Sequence, residues 1–509
     1  MARLSVRRPS LGIAMRRSAH NSSMTTTTFK RLSTLVLLCT ATWVSAATPA
    51  QVQVLPTEVS AALTRAHVPA QALSVWVQAA DVQAPARLSH RADAPMNPAS
   101  VMKLVTTYAA LDVLGPAFVW HTPVWLDGPV ENGVLKGNLV IQGQGDPKLV
   151  QERLWLLLRR VQGLGVQRIA GHIVLDRQAF AVPASDPGDF DGEPLRPYNA
   201  APDALLLNFK SILLTFTPDA TAGIARVQMD PPLAGVQWPT QIPLSSTPCG
   251  NYRAALGADF ADPQHIRLAG SYPAACGEKV WPVAYADPAS YNARALEGLW
   301  RSMGGQLDGK VVDGTAPATA PSFEMLSPTL MELVRDINKF SNNVMAQQLF
   351  LTLGRPDAPP NQAQPASTGA ATPATSRAAL HQWWQRRISA SNVPAIDNGS
   401  GLSRQTRISA AQLGLLLQTA YASPWMPELM SSLPIVGVDG TLKRSQAGVG
   451  SAHLKTGSLR EVTALAGYVH AASGKRYVLV AIVNHPNAAA ARPALDALVN
   501  WVVRDNLQH

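Results

Sequence analysis

Three short segments of this sequence combine hydroxyl, amide or lysine side chains, and the first could support nucleophilic catalysis. Ser100 and Lys103 lie three residues apart at the start of an apolar stretch, a spacing that places both side chains on one face of a helix. A serine hydroxyl is a weak nucleophile until a base removes its proton, and a lysine can do so when burial lowers its pKa. The alternative is an exposed serine beside a surface lysine. That alternative is the more common one for this spacing alone. Because lysine is scarce in this chain and the neighbouring residues are apolar, however, a lysine here needs a reason, and a serine nucleophile with a lysine base would provide one.

The other two segments are Ser341-Asn342-Asn343 and Lys455-Thr456-Gly457. The former directly follows a helical pattern, Leu333 to Phe340, and alone would be interpreted as a polar helix junction. The latter begins a strand pattern, where Gly457 would let a substrate backbone approach and Lys455 would supply a fixed charge for a carboxylate. Each segment is weak evidence by itself. The three segments occur in this order along the chain, at a helix start, a helix end and a strand. Together they strongly predict a single active site.

The apolar pattern predicts the elements that carry these segments. A helix from Met96 to Leu114 would have Asn97 as its N-cap and Pro98 at its first position, which puts Ser100 at the positive end of the helix dipole. The C-terminal region predicts an antiparallel sheet with helices packed on it. The other predicted helices are Pro56 to His67, Gln151 to Val161 and Ala488 to Asp505, and the predicted strands are Leu73 to Val77, Val134 to Ile141, Gly171 to Leu175, Leu205 to Phe216, Ala225 to Met229, Leu454 to Leu459, Val462 to Ala471 and Lys475 to Asn484.

Taken together, the three motifs resemble those of the penicillin-interacting serine D-Ala-D-Ala peptidases, which share them with the serine β-lactamases. The long interval between Lys103 and Ser341 is similar to the class C low-molecular-mass penicillin-binding protein family, the D-alanyl-D-alanine carboxypeptidase/endopeptidase branch, whose members carry extra domains there. Further segments similar to that branch are Gly143 to Pro147, with Gln144 where glycine is usual, Pro197 to Pro202, Asp397 to Arg404 and Gly437 to Leu442.

The resemblance implies a mixed α/β (α+β) fold. We expect a β-lactamase/transpeptidase-like catalytic domain with an antiparallel five-stranded sheet flanked by helices, split by a large β-rich insertion. Residues 47–123 and 323–509 would form the catalytic domain, and residues 124–322 would form the insertion. Residues 355–376, rich in Pro, Ala, Gln and Thr, are expected to be a flexible surface insertion.

The resemblance also implies the chemical roles. Ser100 would attack the carbonyl of the penultimate D-Ala and release the terminal residue, leaving an acyl-enzyme that water then hydrolyses, with Lys103 as the base. Ser341 and Lys455 would relay the proton to the leaving amine. A β-lactam keeps its leaving group tethered, so the same attack would trap Ser100.

Substrate binding is implied in the same way. Asn343 would hold the substrate amide and orient the catalytic lysine, and Lys455 with Thr456 would bind the terminal carboxylate. The backbone N–H groups of Ser100 and Ser458 would form the oxyanion hole.

Three further sites each have two interpretations. Arg404 ends a Gly/Ser-rich loop and would either meet an acidic group of the peptide stem or pair with an internal carboxylate. Tyr198 and Asp191 would either line a cleft or be explained by burial and solvation. For Trp383-Trp384 we favour helix packing over a sugar-stacking platform.

Composition and charge narrow the class of protein. The chain has 509 residues, 47% of them hydrophobic and 15% charged, which indicates a folded protein of several domains. The formal net charge is +10, and most of this positive charge comes from Lys and Arg residues before Ala47. No Lys/Arg-rich run follows. We therefore expect no nucleic acid partner. The expected partners are peptidoglycan stem peptides and, as inhibitors, β-lactams; peripheral association with the membrane or wall machinery is left open.

The N-terminal residues 1–46 are typical of a cleavable export signal. Lys30 and Arg31 precede an apolar stretch, Leu32 to Val44, which small residues follow. Translation from Met24 would give the same signal. Cys39 follows a leucine where a lipoprotein needs a small residue, so we do not expect lipidation. The predicted location is the periplasm.

The remaining cysteines and histidines bear on disulfides and metals. In an oxidising compartment Cys249 and Cys276 are expected to form one disulfide, the alternative being two unlinked thiols. His265, His381 and His485 lack the spacing of metal ligands, so we expect neither a metal nor a cofactor.

These observations predict a serine-type D-Ala-D-Ala carboxypeptidase that is also a DD-endopeptidase. One alternative is a serine β-lactamase or esterase on the same scaffold, and the long insertion argues against it. The other is a non-catalytic wall-binding protein, against which the complete set of motif residues argues.

Overall fold

The computed structural model describes residues 54–81, 85–355 and 369–505. The predicted export signal, with Met24 and Cys39, lies outside the described residues, and so do residues 356–368 of the predicted surface insertion. Residues 373–376 of that segment already belong to a helix, which begins at Pro373, so the predicted insertion extends too far at this end. In the described ranges, no helix is both long and apolar enough to cross a membrane.

Helices and strands alternate irregularly along the chain. The α-helices are α1 (Thr57–Arg65), α2 (Lys103–Leu114), α3 (Gln151–Gly163), α4 (Tyr252–Ala255), α5 (Tyr291–Ser302), α6 (Leu330–Phe340), α7 (Asn343–Leu353), α8 (Pro373–Arg387), α9 (Ala410–Tyr421), α10 (Met426–Ser432) and α11 (Arg492–Val503). The strands are β1 (Leu73–Ala79), β2 (Leu88–His90), β3 (His121–Asp127), β4 (Val130–Glu131), β5 (Val134–Leu135), β6 (Asn138–Gln142), β7 (Arg168–Ile169), β8 (Ile173–Asp176), β9 (Ser211–Asp219), β10 (Ile224–Asp230), β11 (Gln241–Ser245), β12 (Ala258–Asp259), β13 (Arg267–Leu268), β14 (Tyr272–Pro273), β15 (Lys279–Ala284), β16 (Gln306–Leu307), β17 (Val311–Asp313), β18 (Phe323–Leu326), β19 (Ala452–Leu459), β20 (Val462–His470) and β21 (Arg476–Asn484).

The predicted antiparallel five-stranded sheet is confirmed. Its order is β19-β20-β21-β1-β2, and every neighbouring pair is antiparallel. Because side chains alternate between the faces of a strand, Ala464, Ala466 and Tyr468 of β20 face the core that contains α2, α6 and α9. Leu465 and Val469 face the opposite way, toward α1 and α11. Helices therefore cover both faces of the sheet.

Helix α2 lies in the middle of this core. All nine residues from Lys103 to Leu111 are buried, as expected for a helix that is apolar on every side. The lysine at its start is thereby carried into the interior.

The β-rich region is attached by two adjacent strands. β3 and β18 pair antiparallel, with Val124 opposite Phe323, so the chain leaves and returns side by side. The intervening residues form the sheets β17-β8-β6-β3-β18, β16-β7-β5-β4, β14-β11-β10-β9-β15 and β12-β13 around a core of their own. This connectivity is what an inserted domain requires, and the division into domains stays a prediction.

Two strand predictions in this region were wrong in part. The predicted strand Val134 to Ile141 is divided into β5 and β6. The predicted strand Leu205 to Phe216 begins only at Ser211, because Asn208, Phe209 and Lys210 all have positive φ angles and turn the chain. A pattern of apolar residues does not reveal such a turn.

Candidate active site

Ser100 lies in a 3-10 turn, Ala99–Met102, that leads directly into α2. The predicted helix start at Met96 was wrong, because the 3-10 turn begins only at Ala99 and α2 only at Lys103. Ala99 has a φ of 47°, outside the helical region. Asn97 nevertheless acts much as a cap, since its Oδ1 accepts a hydrogen bond from the Ala99 N–H at 2.9 Å.

The Ser100 turn is held from two sides by Asn97. Asn484 at the end of β21 accepts from the Asn97 N–H at 2.8 Å and donates its Nδ2 to the Asn97 carbonyl at 3.0 Å. The Asn97 Nδ2 donates to the Ser403 carbonyl at 2.9 Å. Asn484 was not predicted as a site residue, because no local motif in the sequence distinguishes it.

The side-chain nitrogen of Lys103 is completely buried and has three polar neighbours. Its Nζ lies 3.0 Å from Ser100 Oγ, 2.6 Å from Asn343 Oδ1 and 2.7 Å from the Ser400 carbonyl oxygen. Burial lowers the pKa of Lys103 well below its usual value, and the charge of Lys455 lowers it further. A neutral amine has two N–H groups and one lone pair. The two carbonyl oxygens can only accept, so the lone pair is left for the Ser100 hydroxyl.

Ser341 and Lys455 form a second pair. Ser341 ends α6 in the left-handed conformation, with φ 58° and ψ 35°. Lys455 Nζ donates to Ser341 Oγ at 2.9 Å and to the Thr456 carbonyl at 2.8 Å. Burial lowers the pKa of Lys455 to about 7. Lys455 is therefore only partly protonated near neutral pH, and an adjacent carboxylate would favour its charged form.

The motif residues beside these two pairs are also held in place. Asn343 begins α7, and its Nδ2 donates to the Tyr198 carbonyl at 3.3 Å, which directs its Oδ1 toward Lys103. Thr456 Oγ1 lies 2.8 Å from Thr441 Oγ1. Thr441 belongs to the Gly437–Leu442 segment, but its contact with the motif was not predicted.

Gly457 is approached by the chain's own backbone. A Cβ atom at this position would lie 2.4 Å from the Pro98 carbonyl oxygen. The small residue thus lets β19 pack against the turn that carries the serine. The approach of a substrate backbone, which was the predicted reason for a glycine here, is not needed to explain it.

A cleft of about 740 Å³ opens above these side chains. Ser100 and Ser458, whose N–H groups are the predicted oxyanion hole, both line it. The opposite wall comes from the β-rich region and includes Tyr198 and Asp191, for which lining a cleft was one of the two interpretations, whereas Asp189, Phe190 and Gly192 were not predicted. The wall residues are Asp189, Phe190, Asp191, Gly192 and Tyr198.

Arg404 also lines the cleft and is exposed. Its guanidinium lies over the Phe190 ring, 4.7 Å from the centroid. None of the ion pairs within the described part of the chain includes Arg404, so its interpretation as a structural arginine paired with an internal carboxylate is not supported.

Tyr198 and Asp191 contact each other at the rim. The Tyr198 hydroxyl donates to Asp191 Oδ2 at 2.9 Å, and Asn199 Nδ2 donates to Asp191 Oδ1 at 2.8 Å. Partial burial raises the pKa of Asp191, but these hydrogen bonds outweigh it and leave the pKa below its usual value. The carboxylate therefore stays ionised at the mouth of the cleft.

The other predicted residues lie away from the cleft. Cys249 and Cys276 are joined by a disulfide, with their Cα atoms 4.7 Å apart. Trp383 and Trp384 are buried in the helical core, which confirms the packing interpretation. Over residues 54–81, 85–355 and 369–505, no three His, Cys, Asp or Glu side chains are grouped as a metal site would require.

A helix-start serine bonded to a buried lysine, beside an antiparallel sheet whose edge strand carries Lys-Thr-Gly, defines a serine acyl-transfer enzyme of the transpeptidase-like class. The chain belongs to the D-Ala-D-Ala carboxypeptidase 3 (S13) family, whose model matches residues 55–504. This membership confirms the predicted family and the predicted enzyme class, a serine-type D-Ala-D-Ala carboxypeptidase.

Individual relatives agree with this assignment. The D-alanyl-D-alanine carboxypeptidase DacB of Haemophilus influenzae is 27% identical over 394 residues, which cover 76% of this chain and 80% of the relative. A D-alanyl-D-alanine carboxypeptidase of Actinomadura sp. is 28% identical over 425 residues, covering 77% and 74%. The crystal structure of penicillin binding protein 4 from H. influenzae has a TM-score of 0.67 at 23% identity and covers 87% of this chain and 99% of that chain, which confirms the predicted fold.

Proposed function

We propose that this protein cleaves D-Ala-D-Ala termini and D-Ala cross-links of peptidoglycan stem peptides through an acyl-enzyme on Ser100. The observation that carries the proposal is the contact of Ser100 Oγ with Lys103 Nζ at 3.0 Å, in surroundings that lower the lysine pKa and so favour the neutral amine. A neutral buried amine beside a hydroxyl is the arrangement that makes serine a nucleophile.

Acylation begins when Ser100 Oγ attacks the carbonyl carbon of the penultimate D-Ala. Its proton passes to the lone pair of Lys103, and the carbonyl oxygen becomes an oxyanion held by the N–H groups of Ser100 and Ser458. Asn343 would hold the substrate amide, and its position in the lining of the cleft supports this role.

The tetrahedral intermediate then loses its amine. The C–N bond breaks, and the leaving nitrogen takes a proton from the Ser341 hydroxyl, which is replenished from Lys455. Lys455 and Thr456 bind the carboxylate of the terminal D-Ala. The proton that Lys103 took up then returns to Lys455, which restores the neutral amine of Lys103. Water attacks the ester carbonyl, Lys103 accepts the water proton and passes it to Ser100 Oγ as the ester bond breaks, and the shortened peptide leaves as an acid.

The surroundings of the cleft agree with a peptide substrate carrying charged groups. Arg404 and Asp191 present opposite charges at its mouth, which suits a stem peptide with both an acidic and a basic group. We place the enzyme in the periplasm, where this substrate lies, on the basis of the export signal. β-Lactams are expected to acylate Ser100, and a solved relative, penicillin binding protein 4 of H. influenzae, is described in complex with a β-lactam.

Intact-mass spectrometry after incubation with benzylpenicillin tests the nucleophile. We expect one covalent adduct on the wild type that persists for minutes, and none on Ser100→Ala. Labelling of the Ser100→Ala active site would contradict the assignment. Rapid penicillin loss without an adduct would indicate a β-lactamase, and neither adduct nor turnover would indicate a binding protein.

A further inference from the structure

A second groove opens from the catalytic cleft on the side of Ser341. It has a volume of about 550 Å³ and shares Tyr198, Phe340, Ser341 and Asn343 with the cleft. Its far wall belongs to the β-rich region and includes Phe209, Leu213 and Pro282.

Apolar side chains face this groove without being covered. Phe340 is 66% exposed, Tyr198 40% and Leu213 38%. Grouped apolar surface of this kind, next to polar groups, is typical of a binding site. Because the groove shares four lining residues with the catalytic cleft, a substrate that extends past the cleft on this side would enter it.

The wall of the groove also contains an unusual turn. Asn208, Phe209 and Lys210 have φ angles of 41°, 55° and 50°, a conformation that residues with side chains avoid. Such conformations persist where the surroundings enforce them and are concentrated at functional sites. Here the Asp203 carboxylate holds Lys210 Nζ at 2.8 Å, and Asn208 Nδ2 donates to the Ser211 carbonyl at 3.0 Å.

We propose that the groove binds the stem peptide that leaves when a cross-link is cleaved. The inference rests on the proposed function, in which Ser341 and Lys455 serve the leaving nitrogen. When the leaving group is a terminal D-Ala, it ends beside these two residues. When a cross-link is cleaved, the leaving amine continues into the methylene chain of a diamino acid and a second peptide. The groove begins at Ser341, and its apolar walls suit methylene groups.

Leu213 provides the test, because it lines the groove but not the catalytic cleft. Leu213→Arg is compared with Leu156→Arg, a matched control on α3 whose leucine is 50% exposed and lies outside the groove. Three reactions are measured: cleavage of a cross-linked dimer of stem peptides, D-Ala release from a monomeric stem ending in D-Ala-D-Ala, and acylation by benzylpenicillin.

We expect Leu213→Arg to lower kcat/KM for the cross-linked dimer by about tenfold or more. D-Ala release and acylation should stay within about twofold of wild type, and Leu156→Arg should match wild type in all three reactions. If Leu213→Arg does not fold, Leu213→Ala, which only removes the side chain, should still lower the ratio of cross-link cleavage to D-Ala release.

Equal loss of both peptide reactions, or no loss of cross-link cleavage in either variant, would overturn the groove assignment. A wild-type protein that is acylated yet performs neither peptide reaction would instead contradict the proposed function.

Discussion

Gly457 of β19 lies against the carbonyl oxygen of Pro98, so close that a Cβ atom on Gly457 would be 2.4 Å from it. A Cβ atom and a carbonyl oxygen that are not bonded to each other do not approach so closely. The oxygen belongs to the backbone, so it cannot rotate away as a side chain could. The strand bearing Lys455 and Ser458 therefore reaches the serine only because residue 457 has no side chain.

Gly457→Ala is expected to separate β19 from the Ser100 turn and to pull apart the two proposed oxyanion donors. Loss of one such donor lowers kcat by about 100-fold or more. Steady-state D-Ala release and the rate of penicillin acylation would both show the loss. Gly163→Ala is the control, because nothing lies within 4 Å of a Cβ there; equal effects of the two variants would refute this explanation.

Asn343→Asp should make Lys103 a poorer base. The Asn343 Oδ1 is 2.6 Å from Lys103 Nζ, so a carboxylate there would favour the ammonium form and raise the lysine pKa. We expect penicillin acylation at neutral pH to fall by about 10- to 100-fold and to recover as the pH is raised.

The neighbouring variant Asn342→Asp is the matched control for that charge. Asn342 caps α7 by accepting from the Met345 N–H at 3.0 Å, a role that aspartate also fills. Its pH profile should match that of the wild type. A profile of Asn343→Asp that is lower at every pH by the same factor would show that the variant disturbs geometry and not the lysine pKa.

The decline of peptidase activity at alkaline pH should depend on whether the substrate carries a C-terminal carboxylate. Burial lowers the pKa of Lys455 to about 7, so raising the pH above that value removes the charge that binds the carboxylate. We expect kcat/KM for a peptide ending in D-Ala-D-Ala to fall above about pH 7, while kcat at saturation falls only at higher pH, because the bound carboxylate raises the pKa again.

The same peptide with a C-terminal amide separates this effect from that of Lys103. For the amide, kcat should already fall above about pH 7, because no carboxylate raises the pKa of Lys455, which must still protonate the leaving amine. Both peptides should keep the acidic limb, where Lys103 becomes protonated. Equal kcat profiles of the two peptides above about pH 7 would show that Lys455 does not bind the carboxylate.

Asn484→Ala tests how the Ser100 turn is held. The side chain makes two hydrogen bonds to the Asn97 backbone, and leaving such partners unpaired costs about 1–3 kcal/mol. Denaturant unfolding should show this loss, together with slower penicillin acylation. Asn487→Ala, which removes only one exposed 3.5 Å contact, should change neither; wild-type acylation in Asn484→Ala would mean that the turn is held by other contacts.

Local patterns were enough to predict much of this protein. Ser100 and Lys103 could be identified because a spacing of three residues at a helix start already places them together. The sheet strands β20 and β21 were predicted within a few residues, because their apolar pattern is a property of adjacent residues. The family could be identified because its motifs are short and ordered along the chain.

Contacts between distant segments decided the rest. Lys103 is bound by Asn343 and by the Ser400 carbonyl, which are 240 and 297 positions away in sequence. Its burial there lowers its pKa, and the charge of Lys455 lowers it further. The guanidinium of Arg404 packs on the Phe190 ring, although the sequence was equally compatible with an internal carboxylate as its partner. A spacing along the chain determines which side chains share one helix face, but burial, pKa and the path of the leaving peptide depend on which segments the folded chain brings together.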